Sequence, residues 1–364
     1  MSDPVVTNPG RLRVAVLGLG KLGLFHSEIL SQLPDAELAA VVDADPKMGA
    51  RAGSIGLSAP FYESFEEMIG REEIDAAFVC TPTFLHFPLV EEASAHGVHL
   101  FVEKPFTESH GRSSDLLSVV DAAGVRCTVG YVLAYHPIFR RQTDLVCEGA
   151  IGRVAGLSGT AFHSEVFRPK SGWLFSRARS GGGAVINPMS HLLFLAYRAV
   201  GLPAEVSAHN ATLYSEVEDL SSVRFSYATG AEGRFVCSWS VPRYPVLQLR
   251  LEIEGEKGLL TADQSGLVVQ LDEPHGELPA GTTRLDLSDL AAGVPFDPAF
   301  DNNGVMFVAQ DSAFVDGVLH DRGLATDARH AVASEYLIAA IYRSAETGGP
   351  VRVEPSGGGL GAAE

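Results

Sequence analysis

Cysteine is scarce in this chain and its spacing is irregular. The four cysteines are scattered, with no CxxC pair or metal-like grouping among them: Cys80, Cys127, Cys147 and Cys237. Disulfide frameworks and structural zinc sites both depend on closely spaced cysteines. The sequence therefore predicts reduced, mostly buried thiols in a cytoplasmic protein, and it predicts no metal site.

Long apolar runs are also missing. No stretch approaches the roughly 20 residues that a helix needs to cross a bilayer. The first residues, MSDPVVTNPGR, lack the charged and then apolar layout of a secretory signal. We expect neither membrane insertion nor export.

Basic residues are outnumbered: 27 lysines and arginines stand against 45 aspartates and glutamates, and the formal net charge is −18. A protein that binds nucleic acid needs a cationic face, so nucleic acid is excluded as a partner. A small-molecule substrate is still possible. It would be either uncharged, or anionic and bound by a local cluster of arginines.

The chain has 364 residues, of which 46% are hydrophobic, and this length favours two domains. From residue 11 to about 130, short apolar runs alternate with helix-length stretches, which predicts a doubly wound parallel sheet with helices on both faces. Long alternating strands over 204–285 predict an open, mainly antiparallel α+β domain. The predicted boundaries are a flexible tail at 1–10, a dinucleotide-binding Rossmann domain at 11–132, an α+β domain for substrate binding and oligomerisation at 133–354, and a disordered tail at 355–364.

A glycine motif follows the first predicted strand. Its GxGxxG pattern opens a helix and consists of Gly18, Leu19, Gly20, Lys21, Leu22 and Gly23. In this context the pattern is the dinucleotide-binding fingerprint: Gly18 permits the tight turn and Gly20 admits a pyrophosphate to the helix N-terminus. Gly23 lets the helix approach the strand. The alternative is a structural turn without a ligand.

Asp43 ends the next strand and indicates which cofactor is bound. A carboxylate there accepts hydrogen bonds from the adenosine ribose and repels a 2′-phosphate. The residues that follow, Ala44, Asp45 and Pro46, offer no arginine to such a phosphate. We therefore expect NAD rather than NADP.

Polar residues follow two further predicted strands, in the stretches CTPT and EKP. Because ligands bind at the carboxyl ends of parallel strands, we expect one group of residues to lie near the nicotinamide: Thr81, Pro82, Thr83, His86, Glu103 and Lys104. Pro105 disfavours a helical conformation at Lys104 and would keep it extended into the crevice. The alternative for Lys104 is a surface lysine at a strand terminus.

Together these motifs resemble the Gfo/Idh/MocA oxidoreductases. The resemblance rests on the fingerprint, CTPT with its following histidine, EKP, the helix motif GGGAVINPMSH and a final helix ending in SAETGG. It covers roughly residues 11–354. It implies an NAD-dependent oxidoreductase acting on a sugar, a cyclitol or a related compound.

The resemblance also implies residue roles. Lys104 would face the nicotinamide and hydrogen-bond the reacting oxygen, and the Lys104–Pro105 bond would be cis. His191 would act as acid and base, although a lone histidine is more often structural. Asn187 stands where the family usually has aspartate, and Phe194 where it often has another acid. A catalytic Asp–His pair at these positions is ruled out, and Asn187 is left to orient a hydroxyl or the imidazole.

Further polar groups are expected to face the substrate: Tyr131, His136, His163, Arg168, Lys170 and Trp173. Arg168 and Lys170 form a basic cluster with Arg177 and Arg179. This cluster is either a solvated loop or a site for a phosphate or carboxylate of the substrate.

The leading hypothesis is a dehydrogenase that passes a hydride from a secondary alcohol to NAD. One alternative is a glycoside hydrolase that retains NAD and acts by transient oxidation and elimination. Another is a non-catalytic NAD-binding protein.

Strands such as GRFVCSWSV and LQLRLEIEG carry apolar residues on both sides, which predicts a sheet covered on both faces and a homodimer or homotetramer.

Overall fold

The computed structural model describes residues 10–168, 172–290 and 304–353. These residues form two compact units. The first contains residues 10–132 and 304–331, and the second contains residues 133–290 and 332–353. The tail predicted at 355–364, most of that predicted at 1–10, and Lys170 lie outside the described residues.

The elements follow in chain order. The strands are β1 (Leu12–Leu17), β2 (Ala36–Val42), β3 (Phe61–Tyr62), β4 (Ala76–Val79), β5 (His99–Val102), β6 (Cys127–Val129), β7 (Val154–Phe162), β8 (Glu205–Ala211), β9 (Leu220–Ser226), β10 (Glu232–Ser238), β11 (Gln248–Gly255), β12 (Gly258–Asp263), β13 (Gly266–Leu271), β14 (Gly281–Asp286) and β15 (Val351–Arg352). The α-helices are α1 (Lys21–Gln32), α2 (Pro46–Ser54), α3 (Phe65–Ile69), α4 (His86–Ala95), α5 (His110–Ala123), α6 (Pro137–Cys147), α7 (Arg177–Ser180), α8 (Ser190–Val200), α9 (Leu287–Leu290), α10 (Gly304–Leu319) and α11 (Ala328–Thr347).

The first unit is built on a parallel sheet in the order β3-β2-β1-β4-β5-β6. This order is that of a doubly wound dinucleotide-binding fold, and it confirms the predicted fold class. Every residue of β4 and β5 is buried, because central parallel strands are covered on both faces. The carboxyl ends of β1, β4 and β5 are therefore neighbours.

Helix α10 changes the predicted domain boundary. The sequence assigned residues 133–354 to the second domain, but α10 packs within the first unit. Phe307 contacts Phe25 of α1 with ring centroids 5.0 Å apart, and Phe314 contacts Phe78 of β4 at 5.3 Å. The aromatic side chains of α10 therefore cover part of α1 and β4 within the first unit.

The second unit is built on a sheet in the order β14-β13-β12-β11-β7-β10-β9-β8-β15. Its pairs are antiparallel except β7 with β10, which confirms an open, mainly antiparallel sheet. The stretch LQLRLEIEGEKGLLTAD forms the antiparallel pair β11 and β12, which folds back at Glu256 and Lys257.

The strands of this sheet bury one apolar face, and in β11 the other face is polar, so the expectation of apolar residues on both sides is wrong for the stretch LQLRLEIEG. In β11, Leu251 and Ile253 are buried, whereas Arg250 and Glu254 are exposed. Helices α6 and α8 pack against the sheet. Gln142 of α6 is buried and donates to the Leu251 carbonyl at 2.8 Å.

All four cysteines are free thiols. Cys127 and Cys237 are buried, Cys80 is partly buried and Cys147 is exposed, so the predicted burial holds for only part of the set. Among the described residues, no helix has the length and apolar character to cross a membrane. The same residues hold no group of three or more histidine, cysteine or acidic side chains arranged for a metal ion.

Candidate active site

The glycine turn joins β1 to α1 and leaves room for a ligand. Gly18 has a φ of +89°, and a Cβ there would lie 2.8 Å from Thr81 Cγ2. A Cβ on Gly23 would lie 1.8 Å from the Gly18 carbonyl oxygen, whereas one on Gly20 would meet nothing within 4 Å. Gly18 and Gly23 are therefore required by packing, and the open space at Gly20 lies at the N-terminus of α1, where backbone N–H groups favour a pyrophosphate.

Asp43 holds the turn from the end of β2. Its Oδ2 accepts the Leu19 N–H at 2.7 Å and its Oδ1 accepts the Asp45 N–H at 2.9 Å. The residue is partly exposed, and a carboxylate has about four acceptor positions. Asp43 can therefore still accept a hydrogen bond from a ribose hydroxyl while it supports the turn.

His86 connects the CTPT and EKP loops. The ring is buried, with Nε2 2.9 Å from the Thr81 carbonyl and Nδ1 3.0 Å from the Pro105 carbonyl. Burial lowers the pKa of His86, against the effect of these carbonyls. Both ring nitrogens face the backbone and Thr83 is also buried, so these two predicted cofactor contacts support the loops from inside. Thr81 and Pro82 are partly exposed.

Lys104 follows β5 at the edge where the predicted cofactor residues lie. It is partly buried, and the Lys104–Pro105 bond is cis, as the resemblance implied. Desolvation lowers the pKa of Lys104, and the nearby charge of Glu103 opposes that effect. The ammonium is therefore easier to deprotonate than an ordinary lysine.

Glu103, predicted as a cofactor contact, faces the interior of the first unit. Its Oε1 lies 3.1 Å from His26 Nε2, and His26 Nδ1 lies 2.8 Å from Asp311 Oδ2. Its Oε2 accepts the Lys104 N–H at 3.1 Å. The sequence analysis missed His26 and Asp311, because they are 285 positions apart and no local spacing joins them.

In the second unit, Asn187 and His191 lie on consecutive turns. Val185–Met189 form a π-helical turn that runs into α8, and His191 lies in the first turn of α8. His191 is 8% exposed, and Asn187 is partly exposed with its Nδ2 3.4 Å from the Gly183 carbonyl. Turns of this kind occur often at functional sites.

Glu218, which the sequence analysis did not single out, fixes the start of this turn. Its Oε1 accepts the N–H groups of Gly183 and Val185, at 2.8 and 3.1 Å, and the Tyr342 hydroxyl at 2.8 Å. A Cβ on Gly182 would lie 1.9 Å from the Tyr342 hydroxyl oxygen, and one on Gly183 would lie 2.1 Å from the Glu218 carbonyl oxygen. The glycine run of the motif therefore makes room for Glu218 and Tyr342.

The other predicted substrate residues lie at separate places. Tyr131 is buried in the first unit. His136 is buried at the start of α6, where its Nδ1 accepts the Ile138 N–H at 3.3 Å, and desolvation lowers its pKa to about 4. Trp173 is partly buried in a turn before α7.

Carboxylates pair two members of the predicted basic cluster, Arg168 and Arg177. Glu165 Oε2 lies 3.0 Å from His163 Nδ1 and 3.6 Å from the Arg168 guanidinium. The hydrogen bond from His163 lowers the pKa of Glu165. Arg177 pairs with Glu346 at 2.9 Å. These contacts favour the solvated-loop interpretation over a site for an anionic group.

Two family models match this chain. The N-terminal model, an oxidoreductase family with an NAD-binding Rossmann fold, matches residues 12–131, and the C-terminal model of the same family matches residues 139–261. The chain belongs to the Gfo/Idh/MocA oxidoreductase family. Its first unit is the NAD-binding Rossmann domain of that family, with the open space at Gly20 and the carboxylate of Asp43 suited to NAD.

Relatives of this oxidoreductase include enzymes with different activities. The inositol 2-dehydrogenase of Rhizobium meliloti is 28% identical over 69% of this chain and 76% of its own length. The 2,7-anhydro-N-acetylneuraminate hydratase of Mediterraneibacter gnavus is 26% identical in sequence. The match covers 68% of this chain and 66% of the hydratase. The structure of GenD2 from gentamicin A biosynthesis, in complex with NAD, is 30% identical with a TM-score of 0.78, over 94% of this chain and 96% of that one.

Proposed function

We propose that this protein is an NAD-dependent dehydrogenase that transfers a hydride between NAD and a secondary alcohol or ketone of a sugar, a cyclitol or a related glycoside. The observation that carries the proposal is the partly buried Lys104, placed after β5 on the edge of the sheet that also carries the glycine turn and Asp43. NAD, when bound, supplies the hydride acceptor.

Lys104 manages the proton of the reacting hydroxyl. During oxidation the substrate loses a hydride from carbon and a proton from oxygen, and the proton passes to the Lys104 amine. Desolvation lowers the pKa of Lys104, which brings its protonation equilibrium closer to the working pH and suits it to accept and return the proton.

His191 is the second residue for which we propose a proton-handling role, with Asn187 as an orienting group. Both lie on the π-helical turn and the start of α8 that Glu218 holds in place. Asparagine cannot stabilise an imidazolium by charge, so Lys104 carries more of the proton chemistry than in relatives with aspartate. In the first unit, Thr81 and Pro82 remain proposed NAD contacts beside Gly20, Lys21 and Leu22.

The proposed substrate class rests on the similar proteins. An inositol 2-dehydrogenase and a protein of gentamicin A biosynthesis both point to polyhydroxylated rings.

We further propose a cytoplasmic homodimer or homotetramer that pairs through the open sheet. Its exposed face carries Arg250 and Glu254, so salt-sensitive contacts would hold it. Light scattering at low and high salt tests this, and a monomer in both conditions would contradict it.

A second candidate is a reaction without net redox change. The similarity to an anhydro-sugar hydratase favours it, because an enzyme that retains NAD can oxidise a carbon transiently, eliminate or add at its neighbour, and then reduce it again. A non-catalytic NAD-binding protein is the third candidate, which the intact Lys104 and His191 argue against.

The test is NADH formation from NAD⁺ with inositols, aldoses, amino sugars, sugar phosphates and glycosides, beside Lys104→Ala. We expect turnover on one class and a loss of about 100-fold or more in kcat in the variant, with NAD binding retained. Lys257→Ala, an exposed lysine paired with Glu273, is the matched control and keeps full activity.

Other outcomes separate the candidates. Release of an aglycone or addition of water without net NADH favours the second candidate. If NAD binds but no substrate class gives NADH, the dehydrogenase proposal is contradicted. Full activity in Lys104→Ala contradicts the proposed role of that lysine.

A further inference from the structure

A buried ionic cluster includes Glu103, the residue before Lys104. The His26 side chain is fully buried between Asp311 of α10 and Glu103, at 2.8 and 3.1 Å. Asp311 is also fully buried, and Glu103 is 6% exposed. Such a cluster is costly to desolvate and is weak evidence for stability, so its place beside the proposed catalytic lysine calls for another reason.

The cluster is joined to Lys104 through one carboxylate. Glu103 Oε1 faces His26 while Glu103 Oε2 accepts the Lys104 backbone N–H at 3.1 Å. A Cβ on Gly130 would lie 3.0 Å from this carboxyl group, so glycine at 130 leaves space for it. His26 and Gly130 together fix the plane of the carboxylate that holds the Lys104 backbone.

The charges of the cluster complement Lys104. Burial alone lowers the pKa of His26, but Asp311 and Glu103 outweigh that effect and raise it to about 10. His26 is therefore an imidazolium that faces Asp311 and Glu103. Desolvation raises the pKa of Asp311, and the nearby His26 charge opposes that effect. The neighbouring Cys80 thiol stays neutral, because burial raises its pKa well above the ordinary value. The charge of Glu103 favours the protonated form of Lys104, against the larger effect of desolvation.

We propose that His26 and Asp311 are positioning residues for Lys104, acting through Glu103 to fix its backbone and to hold a carboxylate that favours its protonated form. This inference rests on the proposed role of Lys104. It predicts that neutralising one buried carboxylate changes the chemistry of the lysine even where the fold is kept.

The main test is Asp311→Asn, whose amide oxygen can still accept the His26 Nδ1–H. We expect kcat to fall by about 10- to 100-fold, as for a misplaced catalytic group, while KM for NAD changes little. The matched control is Thr326→Val, which removes the buried 2.7 Å contact between the Thr128 and Thr326 hydroxyls in the same unit. It lowers the melting temperature but leaves kcat unchanged.

A second readout needs neither turnover nor cofactor. The chain has only five lysines (Lys21, Lys47, Lys104, Lys170 and Lys257), so reductive ¹³C-methylation gives few NMR signals, and the one missing from Lys104→Met is Lys104. With one buried negative charge removed, the Lys104 signal titrates at lower pH in Asp311→Asn than in the wild type. Thr326→Val leaves the titration unchanged.

Glu103→Gln removes the other carboxylate charge and is the second variant if Asp311→Asn does not fold. It too lowers the pH at which Lys104 titrates. An unchanged titration in a folded carboxylate variant overturns the inference, as does an unchanged kcat in Asp311→Asn. Full activity in Lys104→Met instead overturns the proposed function, and the titration still decides whether the cluster and the lysine are coupled.

Discussion

Gly20 and Gly23 belong to one motif but meet different constraints. A Cβ at Gly20 enters open space, whereas one at Gly23 would lie 1.8 Å from the Gly18 carbonyl oxygen. We expect Gly20→Ala to change the free energy of unfolding by less than about 1 kcal/mol and to weaken NAD binding by about tenfold or more. Gly23→Ala destabilises the protein by about 3 kcal/mol or more. Thermal melts and NAD titrations check both; unchanged NAD affinity in Gly20→Ala would place the pyrophosphate elsewhere.

Asp43 combines support of the turn with cofactor choice. Asp43→Asn keeps an oxygen that can accept the Leu19 N–H but removes the charge that repels a 2′-phosphate. We expect the ratio of kcat/KM for NADP to that for NAD to rise by about tenfold, which corresponds to about 1.4 kcal/mol. Lys257→Ala serves again as the control, and an unchanged ratio would mean that another residue sets the preference.

Among the elements, the π-helical turn before α8 depends on glycine at 183. A Cβ there would lie 2.1 Å from the Glu218 carbonyl oxygen, which accepts the Ala184 N–H at 2.8 Å. We expect Gly183→Ala to displace the turn that carries Asn187 and to lower kcat by about 10- to 100-fold, while NAD affinity in the first unit stays the same.

Gly172→Ala is the matched control for this element, because a Cβ at Gly172 meets nothing within 4 Å. Steady-state kinetics and NAD titration separate the two effects. Loss of NAD affinity in Gly183→Ala, or full activity in it, would contradict the assignment of this turn to substrate chemistry.

For the whole molecule, two buried histidines predict how stability depends on pH. The pKa of His26 is raised to about 10, so its contribution is complete below its ordinary value of 6.5 and is lost as pH rises through about 10. The pKa of His136 is lowered to about 4, so its contribution is complete above 6.5 and is lost as pH falls through about 4. Stability from these two groups is therefore greatest near pH 6.5.

Melting temperatures between about pH 4 and 10 test this dependence. His136→Asn can still cap α6 and is expected to flatten the acid side alone. His209→Asn, at an exposed position on β8, is the control and changes neither side. If the melting temperature of His136→Asn falls as steeply toward low pH as that of the wild type, groups other than His136 cause the loss of stability in acid.

Local sequence determined much of this protein. The period of the apolar residues specified the parallel sheet, and the short-range motifs specified the glycine turn, Asp43 and the position of Lys104 after β5. The placement of polar residues at strand ends followed from topology alone, since carboxyl ends of parallel strands share an edge. Family membership and NAD binding are consistent with those local signals.

Only the tertiary structure decided which way the side chains of those motifs face. Glu103, which follows β5, and His86, the first residue of α4, both point inward, because their hydrogen-bonding partners lie elsewhere in the fold. Asp311 comes from α10, which the sequence assigned to the other domain, and Glu218 reaches the glycine run from the segment just before β9. The periodicity of apolar residues indicates which face of a helix or strand is buried. A buried charged side chain also needs partners of opposite charge, and these are distant in sequence and meet it only in the folded protein.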